Sequence, residues 1–370
     1  MSSSVESYSE IKKINSELNI SEMREGAKEL SSMPRYVMIE LTQGCNLTCS
    51  MCRSKSIGYR EREMDRSILK SVSHILFPSA EMVDIRGWGE SLLAPDIADI
   101  ISLVNDYGAR CRVVTNLSLN RPSVLDQLIE MNAMIDVSLD APNQDILDVA
   151  RTGARFALID KNLRRLADGL RSRHGSTEAL RIVATVQRST LYSLSDLVDY
   201  AAQTGVSQIV LNEVTLAPGD LNAVTDIPDQ VDEQVALAAT RAAEVGVKLF
   251  AGTRFGTRVG LRKEIDFCIH PWSYVTVGYD GSIGYCDHLI GPMMQFYCMG
   301  DVVKQEFHQI WNGETWQRLR GWHAAGHSTE EPTYRACFQC YRHRNVDFED
   351  VFEPRLKRYR LDLEADEGGR

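Results

Sequence analysis

The 370-residue sequence predicts an α/β fold, and three observations support this prediction. Short strand-like segments alternate with segments of helical apolar spacing between residues 35 and 252. Polar motifs directly follow several of these strands. After residue 252 a hairpin pattern replaces the alternation. Alternating strands and helices form parallel βαβ units, and about six fit here, fewer than the eight of a closed barrel. We therefore expect a partial (β/α)6 TIM-like barrel, open on one side, followed by a smaller domain.

The elements are predicted in chain order. Residues 1–34 are polar and predict a helical lead-in, and "DRSILKSVSHILF" (65–77) predicts a helix with Asp65 as its N-cap. The barrel strands are predicted in "YVMIEL", "MVDIRGWGES", "CRVVTNLS", "MIDVSLDAP", "LRIVATVQRS" and "SQIVLNEV", with "GVKLFAG" as a further candidate. "WSYVTVGYDGSIGYC" alternates on both sides of Asp280-Gly281, which is typical of a β-hairpin. A single helix is expected next, in "VKQEFHQIWNGETWQRLRGWH".

These elements suggest four regions. They are the lead-in (1–34), the partial barrel (35–252), a smaller C-terminal domain (253–345) and a tail (346–370).

Composition and charge exclude several classes of function. The formal charge is -10 and no run of Lys and Arg stands out, which disfavours a nucleic-acid partner. The N-terminus lacks the apolar core of a signal peptide, and no apolar stretch is long enough to cross a bilayer. We therefore expect a cytoplasmic protein without a membrane partner. Thiols stay reduced in the cytoplasm, so clustered cysteines indicate metal binding or catalysis there.

The first cysteine group is Cys45, Cys49 and Cys52, a C-x3-C-x2-C pattern at the end of the first strand. Three thiolates suit a [4Fe–4S] cluster and leave one iron for a ligand from outside the protein. A zinc site completed by a distant residue is the alternative, although this spacing is poor for zinc.

The stretch CNLTCSMC resembles the cluster loop of the radical S-adenosylmethionine (SAM) superfamily. Many members have an aromatic residue where this chain has Met51. The resemblance implies that the amino and carboxylate groups of SAM bind the open iron. One electron, from a donor such as flavodoxin or ferredoxin, then cleaves SAM to a 5′-deoxyadenosyl radical. That radical takes a hydrogen atom from an unactivated C–H bond of the substrate.

The resemblance also implies a set of SAM-binding residues. "GWGESLLAPD" is similar to the family's Gly-Gly-Glu stretch: Gly87 and Gly89 permit close backbone approach, and Glu90 accepts hydrogen bonds from the SAM ammonium. A simple strand-to-helix turn is the alternative. Further contacts are implied for residues after later strands: Ser138, Asp140, Thr115 and Arg151. Helix capping or solvent exposure is the alternative for these residues.

The second cysteine group lies in the last third of the chain and consists of Cys268, Cys286, Cys337 and Cys340. Four thiols satisfy either zinc, as in a zinc ribbon, or a fully ligated [4Fe–4S] cluster. Because the chain also carries the first motif, we favour the cluster. The pattern C-x12-G-x4-C followed by C-x2-C resembles the auxiliary-cluster domain of the SPASM/twitch subgroup. No cysteine follows Cys340, which favours the shorter twitch form, a β-hairpin plus helix with one auxiliary cluster.

In a fully ligated cluster no iron has an open coordination position for a substrate, so we expect this cluster to transfer electrons. The chain resembles twitch-type dehydrogenases of aminoglycoside and aminocyclitol antibiotic biosynthesis, as in the butirosin and spectinomycin pathways. This resemblance implies oxidation of a secondary alcohol of an aminocyclitol or sugar-derived intermediate to a ketone, with the auxiliary cluster as electron acceptor. The reaction needs a base, for which Glu213, Asp266 and Arg254 are candidates.

Other functions stay open. Epimerisation needs a hydrogen donor, usually a Cys thiol, and the later strands contain none; Cys111 begins the third strand. A dehydratase or decarboxylase acting on a carbohydrate or nucleoside is a further alternative. Peptide maturases often carry an N-terminal peptide-binding domain, for which the roughly 35 residues before the first strand are too few. A non-enzymatic zinc-binding module is the most distant alternative.

Overall fold

The computed structural model describes residues 2–52, 62–214, 216, 219–251, 268–291, 294–325 and 335–337. The strands of this part are β1 (Tyr36–Ile39), β2 (Met82–Ile85), β3 (Arg110–Thr115), β4 (Met134–Ser138), β5 (Leu180–Val186), β6 (Gln208–Glu213), β7 (Lys248–Ala251), β8 (Tyr274–Val277), β9 (Ser282–Gly284) and β10 (Gly300–Asp301).

The helices in the same ranges are α1 (Ser2–Arg24), α2 (Arg66–Leu76), α3 (Ile97–Asp106), α4 (Pro122–Glu130), α5 (Gln144–Ala150), α6 (Phe156–His174), α7 (Leu194–Thr204), α8 (Pro228–Val245), α9 (His270–Ser273), α10 (Met294–Tyr297), α11 (Phe307–Trp311) and α12 (Glu314–Ala324). No described helix is both long enough and apolar enough to cross a membrane.

The first of two compact units contains residues 1–45, 59–113 and 260–353. Its strands lie in the order β10-β9-β8-β1-β2-β3. β1 pairs in parallel with β2 and β8, whereas β8, β9 and β10 pair antiparallel. Because β1 and β2 are parallel neighbours, their carboxyl ends meet at one edge, and the two predicted motifs follow there.

The two faces of this sheet differ in chemistry because successive side chains of a strand point to opposite faces. Val37, Ile39 and Val83 form an apolar face and are fully buried. The register places Met38 beside Asp84, and Asp84 beside Arg112, on the other face.

That polar face centres on the fully buried carboxylate of Asp84. Its Oδ2 accepts a hydrogen bond from the Tyr36 hydroxyl and lies 2.7 Å from Nε of Arg86 and 3.4 Å from Nη1 of Arg112. Tyr36 stacks on Tyr274 of β8. A buried carboxylate needs such cationic partners, because desolvation of an unpaired charge costs several kcal/mol.

A buried arginine ties three distant segments of this unit together. Arg320 of α12 is fully buried and donates to the carbonyl oxygens of Pro271 and Lys28, both at 2.9 Å. Its guanidinium carbon lies 4.3 Å from the centroid of the Trp311 ring. Burial lowers the pKa of Arg320 to about 9. The helix α12 is thereby attached to the lead-in and to the turn that precedes β8.

The described part of the second unit lies within residues 46–52 and 114–251. Its strands β4, β5, β6 and β7 are parallel and lie in sequence order. The register places Asp136 of β4 beside Arg181 of β5, and the pair forms two hydrogen bonds of 2.7 Å. The helix α6 buries Leu163, Leu166 and Leu170 completely and ends at Gly175, whose φ is +73°.

The predicted α/β fold with a C-terminal hairpin domain is confirmed. The single helix predicted after the hairpin was wrong. The structure contains α11 and α12 instead, separated at Asn312 and Gly313. Gly313 begins α12 as its N-cap, with an extended ψ of 158° that interrupts the helix. The four predicted region boundaries stay predictions.

We expect Leu166→Ala to destabilise the fold, because Leu166 is fully buried in α6. Large-to-small changes at such positions cost about 2–5 kcal/mol. Urea denaturation followed by far-UV circular dichroism measures this loss. Lys161→Ala, at an exposed position of the same helix, is the control and is expected to stay within about 0.5 kcal/mol of wild type. Equal losses in both variants would contradict the described packing of α6.

Candidate active site

The loops that follow β1 and β2 are in direct backbone contact. The amide of Glu90 donates to the carbonyl oxygen of Gly44 at 2.7 Å. A Cβ added at Gly89 would lie 2.3 Å from that oxygen and 2.6 Å from the carbonyl oxygen of Thr42. Only glycine fits at position 89, so the Gly-Trp-Gly-Glu motif packs against the start of the cysteine loop.

Glu40 supports this contact and was missed by the sequence analysis. Its carboxylate accepts from the backbone amide of Trp88 at 2.9 Å and from Nε2 of Gln43 at 3.1 Å. Burial raises the pKa of Glu40. A Cβ at Gly87 would lie 2.4 Å from Cγ of Glu40, so the first glycine of the motif also permits a close approach. The signal in the sequence is a lone acidic residue at the end of an apolar strand.

Glu90 itself is buried and caps the short turn Ser91–Leu93. Its Oε1 accepts from the amide of Leu92 at 3.1 Å. This is the contact of a capping residue, so part of its hydrogen-bonding capacity serves the turn. Its role toward the SAM ammonium stays a prediction.

The rest of the cysteine loop belongs to the second unit, where it contacts the end of α5. The amide of Thr48 donates to the carbonyl oxygen of Thr152 at 2.9 Å. The amide of Ser50 donates to the carbonyl oxygen of Ala150 at 3.3 Å. Cys49 is buried. The amide of Cys52 donates a hydrogen bond of 3.2 Å to the carbonyl oxygen of Cys49, which closes a tight turn. Burial raises the pKa of the Cys49 thiol, and the nearby Arg151 guanidinium opposes this shift.

Asp140 and Arg151 bind each other. Two hydrogen bonds of 2.8 Å join the guanidinium to the fully buried carboxylate, which also accepts from the amide of Thr185 at 2.8 Å. Both residues were predicted to contact SAM separately. The structure instead uses Asp140 to orient Arg151 toward the cysteine loop, and a direct SAM contact of either residue stays a prediction.

Thr115 serves the turn after β3. Its hydroxyl accepts from the amide of Leu117, a non-glycine residue with a φ of 55°. The neighbouring Asn116 donates to Oδ1 of Asn46 in the cysteine loop at 2.9 Å. Thr115 therefore stabilises a turn whose next residue contacts that loop. Ser138 ends β4 and is half-buried.

The described part of the second cysteine group includes Cys268, Cys286 and Cys337, all half-buried, whereas Cys340 lies outside the described residues. Sγ of Cys337 lies 3.7 Å from the hydroxyl of Tyr285, the residue before Cys286. Burial raises the pKa of the Tyr285 hydroxyl, and the thiols of Cys337 and Cys286 raise it further. Cys286 and Cys337 thus share a neighbour, as ligands of one centre require.

Two potential ligands beside this group were not singled out by the sequence analysis. One ligand atom from each of His270, Cys286 and Asp287 lies within 4.8 Å of the others. The carboxylate of Asp287 also lies 2.7 Å from Nη2 of Arg86. Cys286 and Asp287 are adjacent in sequence, whereas Arg86 and Asp287 are 201 residues apart, so spacing carries no signal for that ion pair.

The candidate base Glu213 lies at the end of β6, where Val186 of β5 is its partner. Strand alternation places Asn212 and Thr185 on the face that carries Ser138, and Glu213 on the opposite face. There Glu213 lines an open depression of about 200 Å³ with Asp232 of α8. This position gives no support to its predicted role as the base. The candidates Asp266 and Arg254 lie outside the described residues.

Comparison with protein-family models identifies both cysteine regions. Residues 39–177 match the radical SAM superfamily, and residues 268–341 match SPASM, an iron–sulfur cluster-binding domain. The chain therefore contains a radical SAM domain and a SPASM domain. These domains imply SAM and [4Fe–4S] clusters as cofactors, which confirms the cofactor prediction.

Relatives of this radical SAM chain carry out different reactions. It is 24% identical over 319 residues to the AdoMet-dependent heme synthase of Methanosarcina barkeri, covering 79% of this chain and 86% of that protein. It is 21% identical over 338 residues to the tungsten-containing aldehyde ferredoxin oxidoreductase cofactor-modifying protein of Pyrococcus furiosus, covering 85% and 89%.

The fold is similar to that of Streptococcus suis SuiB bound to S-adenosylmethionine. The TM-score is 0.62 at 16% identity, covering 82% of this chain and 71% of SuiB. The radical SAM fold is thereby confirmed, whereas the twitch subgroup and the aminocyclitol dehydrogenases stay predictions.

The residues present fit the implied clusters. Every described cysteine predicted as a ligand is half-buried or buried, and thiolates are the usual ligands of [4Fe–4S] clusters. In the radical SAM domain, Cys45, Cys49 and Cys52 would hold one cluster. In the SPASM domain, Cys268, Cys286 and Cys337, with Cys340, would hold the other.

We expect Gly89→Ala to weaken SAM binding, because the added Cβ collides with the carbonyl oxygens of Thr42 and Gly44. Displacement of this loop is expected to raise the Kd for SAM at least about tenfold, equivalent to ~1.4 kcal/mol. Isothermal titration calorimetry of the anaerobically reconstituted protein measures it. Gly175→Ala is the control, because its Cβ would enter open space, so any cost there comes from its left-handed φ of +73° and not from a collision. An unchanged Kd in Gly89→Ala would contradict the role of this backbone contact.

Proposed function

We propose that this radical SAM enzyme oxidises a small molecule, with the SPASM-domain cluster as electron acceptor. The proposed substrate is a secondary alcohol of an aminocyclitol or a sugar-derived intermediate, and the product is the ketone. In this reaction SAM supplies the radical that takes the carbon-bound hydrogen atom, the hydroxyl proton goes to a base, and the remaining electron goes to the auxiliary cluster.

The observation that carries this proposal lies within the first unit, where two contacts join the motif after β2 to the segment after Cys286. Arg86 forms an ion pair with Asp287, and the Trp88 indole packs against Gly291, where a Cβ would lie 2.3 Å from the ring. The segment expected to bind SAM therefore adjoins the segment that carries an auxiliary-cluster ligand. This adjacency suits electron transfer from a substrate radical to that cluster.

The protein's own residues bind and orient the reactants. Glu40 and Gly89 fix the loop after β2, and Asp140 fixes Arg151 beside the cysteine loop. The face that carries Ser138, Thr185 and the exposed Asn212 offers hydroxyl and amide groups for a polar substrate. The base stays a proposal between Asp266, Arg254 and Glu213. Of these, Glu213 lies within the described residues, and its position gives no support to this role.

The position of Cys111 favours oxidation over epimerisation. Cys111 pairs with Val83 and lies on the apolar face of the sheet, opposite Asp84 and Arg112. It is almost fully buried there. A thiol in this position does not reach a substrate on the polar face, so it is a poor hydrogen donor.

A second candidate is oxidation of a cofactor precursor. The two relatives that match more than three quarters of this chain are named as a heme synthase and a cofactor-modifying protein. A carbon-bound hydrogen atom would then be removed from a side chain of a tetrapyrrole. The carboxylate of that side chain would leave as CO2 with formation of a C=C bond, and the remaining electron would go to the auxiliary cluster.

Iron content and EPR after anaerobic reconstitution test the two-cluster arrangement. We expect about eight irons per chain in wild type. About four should remain in Cys45→Ala/Cys49→Ala/Cys52→Ala and about four in Cys268→Ala/Cys286→Ala. About four irons plus zinc in wild type would make the C-terminal site structural, and a redox-neutral reaction would then replace the proposed oxidation.

Substrate class is tested with deuterated candidates under reducing conditions. For the proposed reaction, deuterium from the carbinol carbon of an aminocyclitol appears in 5′-deoxyadenosine, and a ketone forms in equal amount. Ketone formation should stop in Cys268→Ala/Cys286→Ala while SAM cleavage continues. Deuterium transfer from a porphyrin propionate, with none from the alcohol, would favour the second candidate.

We expect Cys111 to resist alkylation in the native protein. Burial raises the pKa of the Cys111 thiol, so it stays protonated at pH 8, and the thiolate is the reactive form. Mass spectrometry after iodoacetamide treatment should show Cys111 modified at least about tenfold more slowly than the exposed Cys298, the internal control. Equal rates would show that Cys111 is accessible and would restore the epimerase alternative.

A further inference from the structure

We propose that Arg86 sets the reduction potential of the auxiliary cluster through its ion pair with Asp287. The inference rests on the proposed function, because it takes Cys286 as a ligand of an electron-accepting cluster. Arg86 is a positioning residue here, since it acts on the centre through Asp287.

The carboxylate of Asp287 lies directly beside this ligand. Its Oδ1 lies 3.8 Å from Sγ of Cys286, and its side chain is 21% exposed. Reduction adds a negative charge to a cluster, so a fixed carboxylate beside it opposes reduction and lowers the potential. A cation on that carboxylate has the opposite effect.

Arg86 supplies this cation from a fixed position. Its Nη2 lies 2.7 Å from Oδ2 of Asp287, and its Nε lies 2.7 Å from the buried carboxylate of Asp84. The Tyr274 hydroxyl is a third partner, 3.4 Å from Nη2. The guanidinium is thus held between two carboxylates, one in the sheet and one beside the cysteine ligand.

The backbone position of Arg86 gives the ion pair a second consequence. Arg86 directly precedes Gly87, and its amide donates to the carbonyl oxygen of Ile39 at the end of β1. Movement of the motif after β2 therefore moves the charge that faces Asp287. The electron acceptor is tuned by the same segment that is expected to bind SAM.

Arg112 provides a matched control. It contacts the same carboxylate, Asp84, at 3.4 Å, and its side chain is 21% exposed against 23% for Arg86. Arg86 also forms the ion pair with Asp287, at 2.7 Å. An effect that passes through Asp84 or through general loosening of the sheet should appear equally in Arg86→Gln and Arg112→Gln.

The test is an EPR-monitored redox titration of the full-length chain in the Cys45→Ala/Cys49→Ala/Cys52→Ala background, where the auxiliary cluster alone remains. We expect Arg86→Gln to shift the midpoint potential downward and Asp287→Asn to shift it upward. The double variant should fall between them, and Arg86→Lys and Arg112→Gln should stay near the parent value.

Equal shifts in Arg86→Gln and Arg112→Gln would overturn the inference, as would an unchanged potential in Asp287→Asn. Asp287→Asn keeps the test decisive if Arg86→Gln fails to fold, because it leaves the Arg86–Asp84 pair intact. Absence of a cluster signal in the parent chain would instead contradict the proposed function itself.

Discussion

The contact between the loops after β1 and β2 is the constraint on which the candidate site depends. Gly89 lies against the carbonyl oxygens of Thr42 and Gly44, with no room for a side chain. Parallel pairing brings the carboxyl ends of the two strands together, and the glycine lets their loops touch. Glu40 then fixes the second loop through the Trp88 amide. The backbone at the start of the cysteine loop is therefore held by the pairing of β1 with β2 and by the contact with Gly89.

Each unit carries an ion pair in the interior of its own strands. Asp84 is paired with arginines in the first unit, and Asp136 with Arg181 in the second. Buried ion pairs are weak sources of stability, because desolvation offsets the Coulomb attraction. In these strands the ion pairs instead fix the orientation of polar side chains while each charge keeps its partner.

The sequence predicted the features that depend on local spacing. The cysteine patterns, the glycines after β2 and the hairpin at Asp280-Gly281 are all encoded within a few residues. It did not predict that Asp140 orients Arg151, because the loop and the helix α5 between them decide this pairing. It did not predict that Arg86 reaches Asp287 either, because these residues are 201 positions apart and meet only when the sheet is assembled. The split between α11 and α12 was missed for a different reason: the apolar spacing continues across Asn312-Gly313, and the turn signal of this Asn-Gly dipeptide was not used. Glu213 illustrates a third limit, since one residue of strand alternation decides which face it occupies.

The discontinuity of the first unit has a consequence for how this protein is made. β1 requires β8 as a neighbour, and Arg320 closes the unit by binding the carbonyl oxygen of Lys28, 292 residues earlier in the chain. On the ribosome, β1 and the cysteine loop emerge first but lack one strand partner until nearly the whole chain has been synthesised. Contacts of such long sequence separation form late. The nascent cysteine loop therefore follows a strand that lacks one of its two partners until β8 has been synthesised.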